Sequence, residues 1–261
     1  MKTVILCGGQ GTRLREKTES IPKPLVEVGP HPIVWHLMKS YAAQGLDEFI
    51  LCLGYKGELI KEYFLRMMDD RAGDFRLVAN GESKPDMQSL RSRREPWDII
   101  FAETGLSTDT GGRAHRIQEY VGKESFCLTY ADGVSDINIQ ALVDFHRSHG
   151  KIATVTAVKR QITLGVMRIG EEDTVTEFAE KPMLDYYING GFFVFEPELF
   201  DYTTPDCNLE TDVLPKIVAD GQLRAYRHDG FWACMDTYKD NITLTELWNS
   251  GKAPWQVENS D

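Results

Sequence analysis

The chain has 261 residues, 42% of them hydrophobic and 26% charged, which is enough apolar material for a sizeable core in an ordinary globular protein. With 40 acidic against 29 basic residues the net charge is −11, which argues against a nucleic acid as partner but leaves room for small phosphorylated substrates met by a few local cations and a divalent metal. No apolar run nears the roughly 20 residues that cross a bilayer, and no signal-peptide layout opens the chain, so a cytoplasmic protein without membrane attachment is expected.

Thr3-Val4-Ile5-Leu6-Cys7 reads as a short buried strand, and it runs into Gly8-Gly9-Gln10-Gly11-Thr12-Arg13-Leu14 and then Pro22-Lys23-Pro24. Glycines without a Cβ let the backbone approach a ligand closely, and backbone N–H groups in such a loop suit phosphate oxygens. Arg13 and Lys23 would add two cations where a triphosphate lies. The spacing excludes an NTPase phosphate loop, which needs Gly-Lys-Ser/Thr, and a dinucleotide fingerprint, because Leu14 stands where the third glycine belongs. The competing reading is a plain glycine turn with Arg13 in solvent.

Residues 32–41 place apolar side chains at helical spacing, with Gly45 beyond the end. A strand over 48–55 follows, then a helix from Gly57 to about Met68 with Leu59, Ile60, Tyr63 and Phe64 turned inward. Residues 71–97, with Arg91-Ser92-Arg93-Arg94, are irregular and read as an insertion or interaction arm. Strand 97–103, helix 113–121, strand 126–132, helix 138–149 and strand 152–158 come next. Such alternation implies right-handed crossovers and a largely parallel sheet. After Gly165 short strands dominate, at 166–169, 174–180, 189–195, 223–227 and 231–235, with helices over 210–219 and 239–248. With no linker or repeat, residues 1–261 read as a single domain. Five cysteines without Cys-x-x-Cys spacing read as buried free thiols, and six histidines form no zinc pattern.

Asp132 ends one strand and Asp236 another, and ligands of open α/β sheets bind beyond the carboxyl ends of strands. Two carboxylates there could share one Mg²⁺, which takes oxygen ligands, although each aspartate alone is also an ordinary cap or turn residue. Glu180-Lys181-Pro182 closes another strand with a lysine suited to a monophosphate, against the alternative of a solvated strand end. Asn189-Gly190-Gly191 offers an amide to sugar hydroxyls, or is a turn.

In this order along the whole chain, these motifs resemble the sugar-1-phosphate nucleotidylyltransferases. Gly54-Tyr55-Lys56-Gly57, Glu95-Pro96-Trp97, Asp109-Thr110-Gly111-Gly112-Arg113 and Gly230-Phe231-Trp232 are most similar to the glucose-1-phosphate cytidylyltransferase branch. The resemblance implies a Rossmann-like α/β fold, a mixed and mostly parallel sheet flanked by helices with a small strand-rich part. It also implies CTP plus glucose 1-phosphate going to CDP-glucose and pyrophosphate, with Mg²⁺, in a homo-oligomer. Leu6, Gly8, Gly9, Gly11, Thr12, Gly111 and Arg113 would then line the nucleotide, and Arg13 and Lys23 would hold its phosphates in catalysis. Asp132 and Asp236 would bind the metal, and Gly112, Glu180, Lys181, Asn189 and Gly190 the sugar phosphate. Lys159-Arg160-Gln161-Ile162-Thr163-Leu164-Gly165 departs from the Pro-Pro-Gly-Arg-Phe-Gly run associated with the branch, and 183–188 departs as well, so another nucleotide or sugar stays open. A non-catalytic nucleotide-sugar-binding homologue is the further alternative.

Overall fold

A computed structural model describes all residues but 10, 12, 13, 15–17, 68–74, 79–85, 90–94, 163, 184 and 258–261, and for 75–78 and 86–89 it describes the backbone alone. The apolar run at the N-terminus has no polar face to leave in water, and it forms β1 (Thr3–Leu6), buried along its length. A short hairpin follows, β2 (Glu27–Val28) and β3 (His31–Pro32), leading into α1 (Ile33–Ala42). β4 (Glu48–Leu53), α2 (Gly57–Met67), the antiparallel pair β5 (Phe75–Val78) and β6 (Asp86–Ser89), and β7 (Asp98–Glu103) come next. Then come α3 (Thr110–Arg116), α4 (Gln118–Val121), β8 (Phe126–Tyr130), β9 (Gly133–Ser135), α5 (Ile139–His149) and β10 (Ala153–Val158). The remainder holds the hairpin β11 (Val166–Ile169) and β12 (Val175–Ala179), then β13 (Ile188–Phe195), α6 (Leu214–Ala219), β14 (Leu223–His228), β15 (Trp232–Cys234) and α7 (Tyr238–Asn249).

Seven strands make one sheet in the order β14-β10-β13-β8-β1-β4-β7. Neighbours run parallel except at β13, which is antiparallel to both β10 and β8. The parallel strands collect their carboxyl ends on one edge, and the reversed β13 brings its amino end there, with Ile188 opposite Val158. Leu6, Tyr130, Val158 and Asn189 therefore reach the same rim.

Side chains alternate across the sheet, so neighbouring residues of β1 feed different cores. Ile5 packs with Leu37, Tyr41, Phe49, Phe64 and Leu142 under α1, α2 and α5. Val4 and Leu6 pack with Ile50, Ala114, Phe126, Phe195 and Ile217 under α3, α4 and α6. A third cluster, Val26, Val28, Ile33, Leu244 and Trp255, seats α7 and the segment after it against the hairpin that precedes α1. Among the described residues no helix is long and apolar enough to cross a membrane.

The mostly parallel sheet flanked by helices and the later short strands follow the sequence expectation. The helix expected over 113–121 differs: it begins at Thr110 and breaks at Ile117 into α3 and α4. Gly111 and Gly112 are therefore helical, and close packing explains them, since a Cβ on Gly112 would lie 2.3 Å from the Pro205 carbonyl. The helix expected over 210–219 opens as a π-helical turn, Leu209–Val213, before α6. Leu59 and Tyr63 are half-buried, while Ile60 and Phe64 are buried. The expected arm at 71–97 falls mostly outside the described residues, as do 91–94. All five cysteines are free thiols, four of them buried.

His36 is buried on α1, where its Nε2–H donates to the Val28 carbonyl at 2.8 Å, and burial pulls its pKa down from 6.5 to about 4. A histidine with a depressed folded-state pKa contributes stability above its unfolded pKa that is lost as pH falls through the folded one. The thermal midpoint should therefore fall between pH 6.5 and about 4. His36→Gln, which keeps a donor toward Val28, should flatten that part of the acid limb; an unaltered limb would assign it to other groups.

Candidate active site

Two cavities open along the carboxyl edge of the sheet, one of about 360 Å³ and one of about 350 Å³. Leu6, Gly8, Gly9, Gly11, Lys23 and Arg113 line the first, and Arg160, Asn189, Gly190, Trp232, Cys234 and Asp236 line the second. Tyr130 and Asp132 line both, so the cavities share a wall at the end of β8.

At that wall Lys23 stands between the two aspartates singled out by sequence. Its Nζ lies 2.5 Å from Asp132 Oδ2 and 2.8 Å from Asp236 Oδ1. The lysine opens a 3₁₀ turn, Lys23–Leu25, framed by Pro22 and Pro24. Asp132 stands two residues beyond the end of β8, and its carbonyl accepts from Met235 N at 2.9 Å, which ties the two aspartate segments together. Asp236 is held at the head of α7, where Asp240 accepts from its N–H at 3.1 Å and forms a capping box with Thr237. Burial opposes the charge on Lys23, but both carboxylates outweigh it and raise its pKa. The ammonium thus marks a place for positive charge between two hard oxygen donors. That donor set suits a divalent cation that would draw its other ligands from substrate and water.

The glycine loop rests on Arg113. Its guanidinium is buried and donates to Gly8 O at 3.1 Å, Leu53 O at 2.9 Å, Gly105 O at 2.9 Å and Thr104 Oγ1 at 2.7 Å. A Cβ on Gly8 would lie 2.0 Å from Arg113 Nη1, so a side chain there would have to displace the guanidinium from its carbonyl partners. Gly9 is exposed with open space around it, and Gly11 takes φ +61° beside Lys23. Arg113 therefore supports the loop from beneath while also edging the first cavity. Gly111 and Gly112, expected at nucleotide and sugar, line neither cavity: they pack on 205–209, and the Gly112 N–H donates to Cys207 O at 2.8 Å. Thr12 and Arg13 lie outside the described residues.

In the second cavity Gly191 takes φ +79°, and a Cβ there would be 2.6 Å from the Tyr130 ring, so β13 and β8 close tightly around the shared wall. Trp232 Nε1 donates to Gly190 O at 2.7 Å, which fixes the indole as a side wall. Asn189 Nδ2 reaches Tyr130 Oη at 3.4 Å. The Tyr130 hydroxyl donates to Glu210, whose other oxygen accepts from Thr110 Oγ1 at 2.7 Å. Burial and Glu210 raise the Tyr130 pKa, so the phenol stays neutral. Burial, helped by Asp236, pushes the Cys234 thiol to about 11. Glu180 and Lys181 line neither cavity; Lys181 Nζ lies 3.4 Å from Glu180 Oε1, and both side chains are mostly exposed.

Tyr130, Glu210, Thr110, Trp232 and Arg160 were not legible as site residues. Tyr130 carried a signal, its place two residues before Asp132 on a strand end. Glu210 carried none, since a carboxylate near a helix start is commonplace.

Residues 2–246 match the nucleotidyl transferase family. Glucose-1-phosphate cytidylyltransferases of Salmonella typhi and Salmonella typhimurium are each 45% identical over 264 residues, covering 98% of this chain and 99% of the relative. Among solved structures, HddC from Yersinia pseudotuberculosis has the same fold, with a TM-score of 0.69 and 21% identity over 95% of this chain and 99% of that one.

Arg113→Gln would strip several buried carbonyls of their donor and should cost about 3 kcal/mol of stability, measured by urea denaturation. The same variant should weaken nucleotide binding through the loosened loop; full stability would show that the guanidinium carries little of the loop.

Proposed function

The chain belongs to the nucleotidyl transferase family, and we propose that it transfers a cytidylyl group from CTP to α-D-glucose 1-phosphate, giving CDP-glucose and pyrophosphate. The observation that carries this reading is the shared wall: two cavities of similar volume, one lined by the glycine loop and one by Asn189 and Gly190, meet at Lys23, Asp132 and Asp236. Two polyanions must come together there, and their repulsion is the first barrier. The names of the cytidylyltransferase relatives support CTP and glucose 1-phosphate as the pair.

On this reading the backbone of Gly8, Gly9 and Gly11 receives the triphosphate, with Arg13 and Lys23 as its cations, and Thr12 and Leu6 beside the nucleotide. Asp132 and Asp236 hold Mg²⁺, which when bound supplies positive charge against phosphate oxygens. Asn189 and Gly190 meet sugar hydroxyls, while Glu180 and Lys181, expected beside them from the sequence, stand on the exposed bend after β12. An oxygen of the sugar phosphate attacks the α-phosphorus of CTP; the new P–O bond forms as the bond to the bridging oxygen breaks, and pyrophosphate leaves with that electron pair. The attacking monoester is already ionised, so no side chain need take a proton, and alignment and charge set the rate.

A second reading, another nucleoside triphosphate or another sugar 1-phosphate, is favoured by the divergent 159–165 and 183–188 segments beside the second cavity. A non-catalytic binder is disfavoured by the retained Lys23, Asp132 and Asp236. Self-association is part of the proposal: Met167 opposite Phe178 and Ile169 opposite Val175 leave four exposed apolar side chains on the β11–β12 ladder.

Pyrophosphate release with Mg²⁺, glucose 1-phosphate and each of CTP, UTP, dTTP, ATP and GTP tests the reaction. Turnover led by CTP is expected; turnover led by another nucleotide corrects the base. Asp132→Asn and Asp236→Asn should each lower turnover by about 10²- to 10³-fold with folding intact. Near-normal rates in either would overturn the metal assignment. Light scattering at micromolar concentration should give an oligomer, and a monomer would remove that part of the reading.

A further inference from the structure

The second cavity presents Asp132 and Asp236 to its occupant, yet a sugar 1-phosphate entering it carries nearly two negative charges at neutral pH. One ammonium against two carboxylates leaves the wall a net negative charge, so the incoming phosphate needs a cation of its own. Lys181 is the residue expected from sequence, but it stands outside this cavity, at φ +46° and beside Glu180. Among the described residues that line the cavity, Arg160 is the one cation.

Arg160 lies two residues beyond β10, on the carboxyl edge, and is half-buried. The two residues after it are clamped to the segment after Lys181: Gln161 bridges Met183, and Ile162 N donates to Pro182 O at 2.9 Å. A guanidinium carries five N–H donors in a rigid plane. Here Nη1 meets the Cys234 sulfur at 3.7 Å, a weak acceptor, and the side chain forms no ion pair among the described residues. A half-buried arginine with most of its donors unspent, in a cavity walled by two aspartates, is arranged for an anion brought in from solution.

We propose that Arg160 receives the phosphate of the sugar 1-phosphate as a bidentate fork; this rests on the reaction proposed above. The fork takes two of the three terminal oxygens and leaves the third to attack across the shared wall. Arg160 thereby selects a phosphorylated sugar over a neutral one and orients it before the bond is made. It also accounts for a cation at 160 in a segment that departs from the run associated with the cytidylyltransferases.

Steady-state kinetics of wild type, Arg160→Gln, Arg160→Lys and Lys181→Gln, each substrate varied at saturation of the other, tests this. Arg160→Gln should raise KM for glucose 1-phosphate about 10- to 100-fold and leave KM for CTP unchanged. Arg160→Lys, which keeps the charge but loses the fork, should fall between the two and guards against a folding defect in the glutamine variant. A KM for glucose 1-phosphate within about twofold of wild type in Arg160→Gln, or an equal rise for both substrates, overturns the assignment. Should wild type be inactive with CTP and glucose 1-phosphate, the proposed reaction fails on its own account. Calorimetric binding of glucose 1-phosphate then decides Arg160 separately: weaker binding in Arg160→Gln supports it, and unchanged affinity overturns it.

Discussion

Lys23 reaches Asp132 and Asp236, partners 109 and 213 residues away in sequence, and this triad fixes where every other part of the site must lie. Two carboxylates that face each other in a partly buried wall repel by about 4 kcal/mol at 4 Å in a medium of moderate polarity. An ammonium between them turns that cost into attraction and cancels one of the two negative charges. The arrangement also sets a condition on catalysis. On the proposed reading, a cation that enters with the substrates competes with Lys23 for the same oxygens, and Lys23 also lines the first cavity.

The rest of the fold acts as support for that wall. Parallel β1, β4, β8 and β10 bring glycine loop, Arg113 acceptors, Asp132 and Arg160 to one edge, while the reversed β13 delivers Asn189 to the same edge from the opposite direction. A fully parallel sheet would have placed Asn189 at the far end. The Gly191–Tyr130 contact and the Tyr130–Glu210–Thr110 chain then stiffen the partition between the two cavities.

Much of this arrangement is legible in the amino-acid sequence. Strand ends followed by Gly or Asp are local signals, and so Gly8, Gly9, Asp132 and Asp236 could be singled out as candidates, with Lys23 marked by its flanking prolines. The Gly111-Gly112 pair drew its expected place beside nucleotide and sugar from the family resemblance, and no local pattern shows the other demand on it, a helix whose backbone packs on 205–209. Arg113 could be picked out but not oriented, because its partners are carbonyls from the loop after β1, from β4 and from the turn after β7. Glu210 and Arg160 were invisible for a different reason. Their meaning comes from contacts across about 80 residues with Tyr130 and Cys234, which no local pattern encodes.

The net charge of −11 is at odds with a site for two polyanions only if charge is averaged over the surface. Beyond about 10 Å salt screens exposed charges, so a bound phosphate feels the groups that touch it and little of the remainder. What matters is that Lys23 and Arg160 sit on opposite sides of the same wall, each partly withdrawn from water, where a cation's field is least screened. The surrounding acidity then has a role of its own. It leaves the two cavities as the places where a small anion is welcome and makes the outer surface a poor landing ground for long polyanions that carry the same phosphates.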